Sequence, residues 1–238
     1  HDHGATLLTA YDSGTTASGL VKWTITGDGT APQTAINVLY GQVGVVGPVI
    51  TADDTNPWWQ DGVTPAWFHV AIVRASNVTK VYVNGTAESL TVNTGSNGGD
   101  WRSDSYSGGT DGISIGVRKD NSPDLFFNGK IMQVAYFGGS SSTTGVLTAA
   151  QLLALYNADK GHDFTTATGV YTATETAALK GYWRMGNHYL DSAGDVTIYD
   201  ASGNNATMRG AWGTGSGVSF GGATGGCLTA YGTNDASF

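Results

Sequence analysis

The chain has 238 residues, with 19 Asp and Glu against 11 Lys and Arg, a net charge of −8, 13% charged residues and 36 glycines. This length suits one all-β domain with a sizeable core, and the 40% hydrophobic content excludes a disordered composition. The acidic balance excludes a nucleic-acid partner, which needs clustered Lys and Arg; here only Arg118-Lys119 are adjacent. No apolar run approaches the roughly 18 residues that span a bilayer, so no membrane insertion is expected.

Strand patterns dominate in chain order. Residues 21–26 alternate, and 34–46 are rich in β-branched side chains. Residues 51–65 are weakly patterned and carry Trp58, Trp59 and Asp61. Residues 67–73 read as a strand in which Trp67, His69 and Ala71 face one way and Phe68, Val70 and Ile72 the other. Residues 79–83 form another strand, ending at Asn84-Gly85. Asn-Gly is a strong hairpin signal because both residues tolerate positive φ. A second weakly patterned stretch, 93–112, precedes the alternating run 113–117, and Asn128-Gly129 leads into a strand over 130–137.

One short helix is expected next. Thr148-Ala149-Ala150-Gln151 has the spacing of a capping box, Leu152, Leu155 and Tyr156 fall on one face, and Gly161 supplies a stop. A weaker helical turn is expected at 174–179. Short strands separated by turn clusters, with one brace-like helix, predict an all-β, two-sheet antiparallel β-sandwich of the jelly-roll kind.

The ordered motifs Trp67-Phe68-His69-Val70-Ala71, Val81-Tyr82-Val83-Asn84-Gly85, Ile113-Ser114-Ile115-Gly116, Phe127-Asn128-Gly129-Lys130-Ile131 and Val134-Ala135-Tyr136-Phe137 span about residues 67–157 together with the Leu147 to Tyr156 segment. This set resembles the concanavalin A-like lectin/glucanase superfamily, in its laminin-G-like branch. The later motifs Gly181-Tyr182-Trp183-Arg184-Met185-Gly186, Asp200 to Thr207 and Gly217 to Gly222 look like the opening of such a domain, yet here they come last. Two arrangements fit. Residues 1–238 form a single laminin-G-like sandwich with permuted C-terminal strands, or a sandwich over 1–165 is followed by the start of a second over 180–238. The second leaves about 60 residues, too few for a sandwich core. The segment from Leu147 to Asn205 is also similar to laminin-G-like proteins of bacteriophage particles, which implies a role in the virion.

Catalytic patterns are missing. Glycosidases need two carboxylates flanking the scissile bond. Glu88 and Glu175 are the sole glutamates, neither lies in an acidic alternating strand, and the adjacent Asp53 and Asp54 point to opposite faces of any strand. Cys227, the single cysteine, has no neighbouring His, and it rules out an intrachain disulfide. No Gly-x-Ser-x-Gly elbow or phosphate-binding loop is present. His69 reads as a locally bonded strand residue, and His1-Asp2-His3 as a tail or tag remnant. The expectation is therefore no enzyme.

For binding, the loop aromatics and their polar neighbours are the candidates: Trp58, Trp59 and Asp61, then Trp101, Arg102 and Tyr106. They suit sugar contact, protein contact or anchoring on the sandwich, and all three readings stay open. The resemblance also implies a rim calcium ion, for which hard oxygen ligands are needed. Asp100, Asp104 and Asp111 in one loop and Asp120 and Asp124 in the next are candidates; the alternative is that they form Asx-turns. No cofactor is certain, and Ca²⁺ is the one kept open. The sequence thus points to a structural or attachment protein of a virus particle, a phage head decoration or tail-associated module. Its expected partners are other particle proteins in a homo-oligomer or lattice, and surface glycans. The alternative is a free or cell-surface carbohydrate-binding lectin, located outside the cell.

Overall fold

The computed structural model describes residues 5–11, 20–26, 35–41, 49–53, 67–76, 78–94, 97, 112–116, 130–138, 145–157, 163–190, 196–204, 208–210, 219–220 and 228–229. These residues are mostly strand, and every strand pairing among them is antiparallel. In chain order the first strands are β1 (Ala5–Tyr11), β2 (Leu20–Thr26), β3 (Ala35–Gly41) and β4 (Val49–Asp53). Then come β5 (Val70–Ala75), β6 (Val78–Val83), β7 (Thr86–Ala87), β8 (Leu90–Thr94) and β9 (Gly112–Ile115). After β10 (Lys130–Ile131) and β11 (Gln133–Phe137) stand two helices, α1 (Ala149–Asn157) and α2 (Ala173–Ala177). The last strands are β12 (Leu179–Leu190), β13 (Val196–Asp200), β14 (Met208–Gly210), β15 (Ser219–Phe220) and β16 (Leu228–Thr229).

They form a six-stranded sheet in the order β8-β4-β3-β2-β1-β9, a four-stranded sheet β11-β12-β13-β14, and two three-stranded sheets, β5-β6-β7 and β10-β16-β15. The run expected as one strand over 130–137 divides at Met132. Its first part pairs with β16, its second with β12, and Val134 lies opposite Trp183. The weakly patterned stretches begin inside strands: residues 51–53 end β4, and 93–94 end β8, where Thr94 pairs with Val49. Alternation is poor there because Ala52 and Asp53 interrupt the apolar pattern.

The hairpins follow turn chemistry. Asn84 at φ 49° and Gly85 at φ 78° form the two-residue turn between β6 and β7, with Val83 opposite Thr86. Both central residues with positive φ make the tight turn whose twist matches the flanking strands. Residues 67–69 precede the ladder, which starts where Val70 pairs with Val83.

Both helices start at capping boxes. In α1 the Thr148 N–H donates to Gln151 Oε1 at 2.7 Å, and the Gln151 N–H donates to Thr148 Oγ1 at 3.3 Å. In α2 the Thr172 N–H donates to the Glu175 carboxylate at 2.7 Å, and Thr172 caps the first turn. This second short helix forms at the weaker of the two helical signals, because its box is complete.

The main buried cluster joins three parts of the chain. Tyr82 of β6, Leu152 and Leu155 of α1, and Leu179 and Tyr182 of β12 meet Leu147, Phe164 and Tyr171, with Ala71, Val73, Ala135 and Phe137 packed around them. On β6 Thr79, Val81 and Val83 are buried on one face, while on the other Tyr82 is buried and Val78 and Lys80 are exposed. At Thr79 the side chain of Asn97 stands in for a neighbouring strand, accepting from the Thr79 N–H at 2.8 Å and donating to its carbonyl at 3.1 Å. That satisfies backbone groups that β7 is too short to reach.

Candidate functional site

The exposed apolar surface with the clearest construction lies where α1 meets the β6–β7 turn. α1 carries no charged residue in its first or last turn, and Leu152 and Leu155 are its buried side. Leu153 and Tyr156, three apart and so neighbours on the helix surface, are 43% and 42% exposed. Gly85 brings the turn against the helix backbone: a methyl group at 85 would lie 2.8 Å from Leu153 Cα, a distance that non-bonded carbons do not tolerate. The helix therefore sits directly on the glycine.

His69 fills the edge of this joint. Its N–H donates to Asn84 Oδ1 at 2.9 Å, and its carbonyl accepts from the Asn84 N–H at 2.8 Å. The turn residue thus clamps the histidine backbone from both sides. The imidazole stacks on Tyr156, with ring centroids 6.4 Å apart and planes at 30°. Its Nδ1 is buried without a hydrogen-bond partner. Desolvation lowers the histidine pKa, because a buried ring with no anion beside it resists charge. Trp67, two residues earlier, is 43% exposed. Exposed Tyr156 and Leu153 of α1 thus lie at the joint that holds a buried His69 ring, and Trp67 is exposed two residues before it in the chain.

A second aromatic joint has the opposite character. Tyr171 donates from its hydroxyl to the Phe164 carbonyl at 2.6 Å, and Gln133 Nε2 donates to the Tyr182 hydroxyl at 3.0 Å. Phe164 packs against Tyr182 at 4.9 Å, and Phe137 meets Tyr171 edge-on at 6.1 Å. Burial pushes both hydroxyls above the ordinary tyrosine value; Glu175 adds to the shift at Tyr171. Both phenols stay protonated at neutral pH and serve as fixed hydrogen-bonding groups.

The carboxylates near this joint have structural tasks. Asp163 accepts from the Thr165 N–H at 2.9 Å and its hydroxyl at 2.7 Å, and lies 3.5 Å from Arg184. Asp200 Oδ1 accepts from the N–H groups of Tyr182 and Ser202, at 2.9 and 2.8 Å, holding the turn after β13 onto β12. The Glu175 carboxylate is held below its ordinary pKa, first by the Thr172 hydroxyl that donates to it at 2.6 Å, then by the Thr172 backbone. Among the described residues no three His, Cys, Asp or Glu side chains gather as a metal site would require.

The sequence-derived binding residues Trp58, Trp59, Asp61, Trp101, Arg102 and Tyr106 lie outside the described residues, as do Asp100, Asp104, Asp111, Asp120 and Asp124 and the helix stop Gly161. His69 is locally bonded through its backbone, while its ring lacks a partner at Nδ1. Tyr156, expected on the buried side of α1, is instead largely exposed. Burial goes to Leu152 and Leu155, and Tyr156 turns outward onto His69. The missed signal was in α1 itself. Leu152-Leu153 and Leu155-Tyr156 make it apolar on more sides than one core can cover, so part of that surface must remain outward.

No family model, curated protein or solved structure matches the chain.

Proposed function

We propose that this chain is a non-enzymatic structural or attachment module of a virus particle, a phage head decoration or tail-associated component, acting through protein–protein and glycan contacts. The observation that carries the reading is the exposed Trp67, Leu153 and Tyr156 surface built on a helix without terminal charges. Aromatic side chains of this kind, with a rigid backing, are the usual energetic centres of binding surfaces. The laminin-G-like resemblance supports the same reading.

In this proposal the sheets pack as a two-layer sandwich and the C-terminal strands belong to the same unit. Burial on β6 supports the layering: α1 and its cluster cover Tyr82, and the fully buried Thr79, Val81 and Val83 call for a second layer on the opposite face. Pairing of β11 with β12 supports the single unit, because strands from both halves of the proposed permutation share one ladder.

The decisive experiment images the native source for a repeating lattice or fibre and measures association of the purified chain with particles. Trp67→Ala and Tyr156→Ala should each weaken association roughly tenfold or more, the loss expected for an aromatic centre. Each side chain is partly covered, so stability should fall by about 1–2 kcal/mol and association is measured on the folded variants. A chain that remains a free monomer with no affinity for particles sinks the proposal. A lectin is the second reading, favoured by two exposed aromatic rings close to one histidine. Glycan binding that disappears in both variants, without particle association, would select it.

A further inference from the structure

The His69 contact has a property that the binding surface does not require. The ring lies between two elements: Asn84 of the β6–β7 turn holds its backbone, and Tyr156 of α1 covers its face. The paired hydrogen bonds to Asn84, at 2.8 and 2.9 Å, fix the backbone from which the ring projects. Its Nδ1 is enclosed and has no acceptor to receive a proton. A neutral imidazole is tolerated there, with Nδ1 as a bare acceptor. A protonated one would place both an unpaired N–H and a charge in a desolvated space.

We propose that the joint between α1 and the β6–β7 turn is an acid-released latch, closed while His69 is neutral and opened when its ring takes up a proton. The groups that face the ring favour this direction. From α1 it meets the aromatic ring of Tyr156, which brings no carboxylate to compensate a new positive charge. Burial lowers the pKa of the ring by desolvation. For a base with a lowered pKa in the closed state, acid favours the opened state. The contribution to closure is complete above the ordinary histidine value of about 6.5 and is lost as pH falls below it, through the lowered value. Leu152 and Leu155 keep α1 in the main core with Tyr82, so the opening is confined to the Tyr156 end of the helix and leaves the β5–β6 ladder intact. The latch does not depend on what the nearby surface binds.

The test uses the full chain. The His69 ring resonances are titrated by NMR from pH 7.5 to 4.5, while amide hydrogen exchange, corrected for its intrinsic pH dependence, is followed in α1 and in β5–β6. The expected result is a His69 midpoint below the ordinary histidine value and a fall of at least fivefold in protection of the Leu152 to Tyr156 amides across it. Protection in β5 and β6 stays constant. His69→Phe, which keeps an aromatic ring but cannot take a proton, should leave α1 protection independent of pH over this range. The latch is refuted by a His69 midpoint at or above the ordinary value, by unchanged α1 protection through the titration, or by an equal acid response in the phenylalanine variant. If that variant does not fold, the His69 titration and exchange in the native chain decide the matter.

Discussion

The two aromatic joints of this protein use similar residues to different ends. At the Tyr171–Phe164–Tyr182 joint both hydroxyls are hydrogen-bonded, Tyr171 donating to the Phe164 carbonyl and Tyr182 accepting from Gln133. At the α1 joint the His69 Nδ1 is enclosed with nothing to bond. Burial by itself therefore does not decide whether a polar aromatic stiffens a fold. A satisfied hydroxyl locks its neighbours together, whereas an unsatisfied ring nitrogen makes the contact conditional on its protonation state. The first joint lies among the residues of the main core, and the second at its rim, where Tyr156 is open to solvent.

Substitutions sharpen that contrast in order of expected size. Gly85→Ala should be the most damaging, at about 3 kcal/mol, since it combines a left-handed backbone position with a methyl group driven into the Leu153 backbone. Urea unfolding should show it, together with loss of α1 protection ahead of the rest; a loss under about 1 kcal/mol would mean that the helix does not sit tightly on the turn. Tyr171→Phe should destabilise by about 1–2 kcal/mol, because the buried hydrogen bond from its hydroxyl to the Phe164 carbonyl is lost. Thermal melting should resolve this, and a neutral result would remove the distinction between the two joints.

The smallest effect, Thr172→Ala, should reduce stability by about 1 kcal/mol through loss of the α2 cap. Here the two capping boxes provide an internal control. Glu175 has its pKa lowered by Thr172, so its contribution is present above the ordinary carboxylate range and is lost as pH falls through the lowered value. Glu175→Gln should abolish that dependence while keeping the helix. The Gln151 box of α1 is neutral, but its side chain also helps to hold Glu175 ionised, so its response should be weaker rather than absent. Circular dichroism melts of both proteins between pH 6 and 3 give the comparison.

The strand and turn pattern was the legible part of this molecule. Asn84-Gly85 identifies its hairpin because only a few residue types accept two successive positive φ values, and Thr148 with Gln151 marks a helix start because their spacing fits reciprocal capping. The division at Met132 was not legible, since both of its strands share one apolar alternation and only their distant partners separate them. The outward turn of Tyr156 was hidden for a related reason: periodicity shows that α1 has apolar sides but not which one the core takes. Loop aromatics drew attention as binding residues because they stand in polar sequence. Trp67 is hidden because alternation places it on a strand without saying which face is covered, and the ladder begins only at Val70.

The six-stranded sheet has a consequence for how the protein is made. β1 lies between β2 and β9, and its pairing with β9 sets Leu8 opposite Ile115. During synthesis β2 reaches β1 almost at once, but the other edge of β1 stays open until everything from β2 to β8 has left the ribosome. Such distant pairing slows folding, and an unpaired strand edge invites association with other chains in the interval. Expression yield should therefore be most sensitive to conditions that lengthen the wait for β9, such as slow translation between residues 26 and 112.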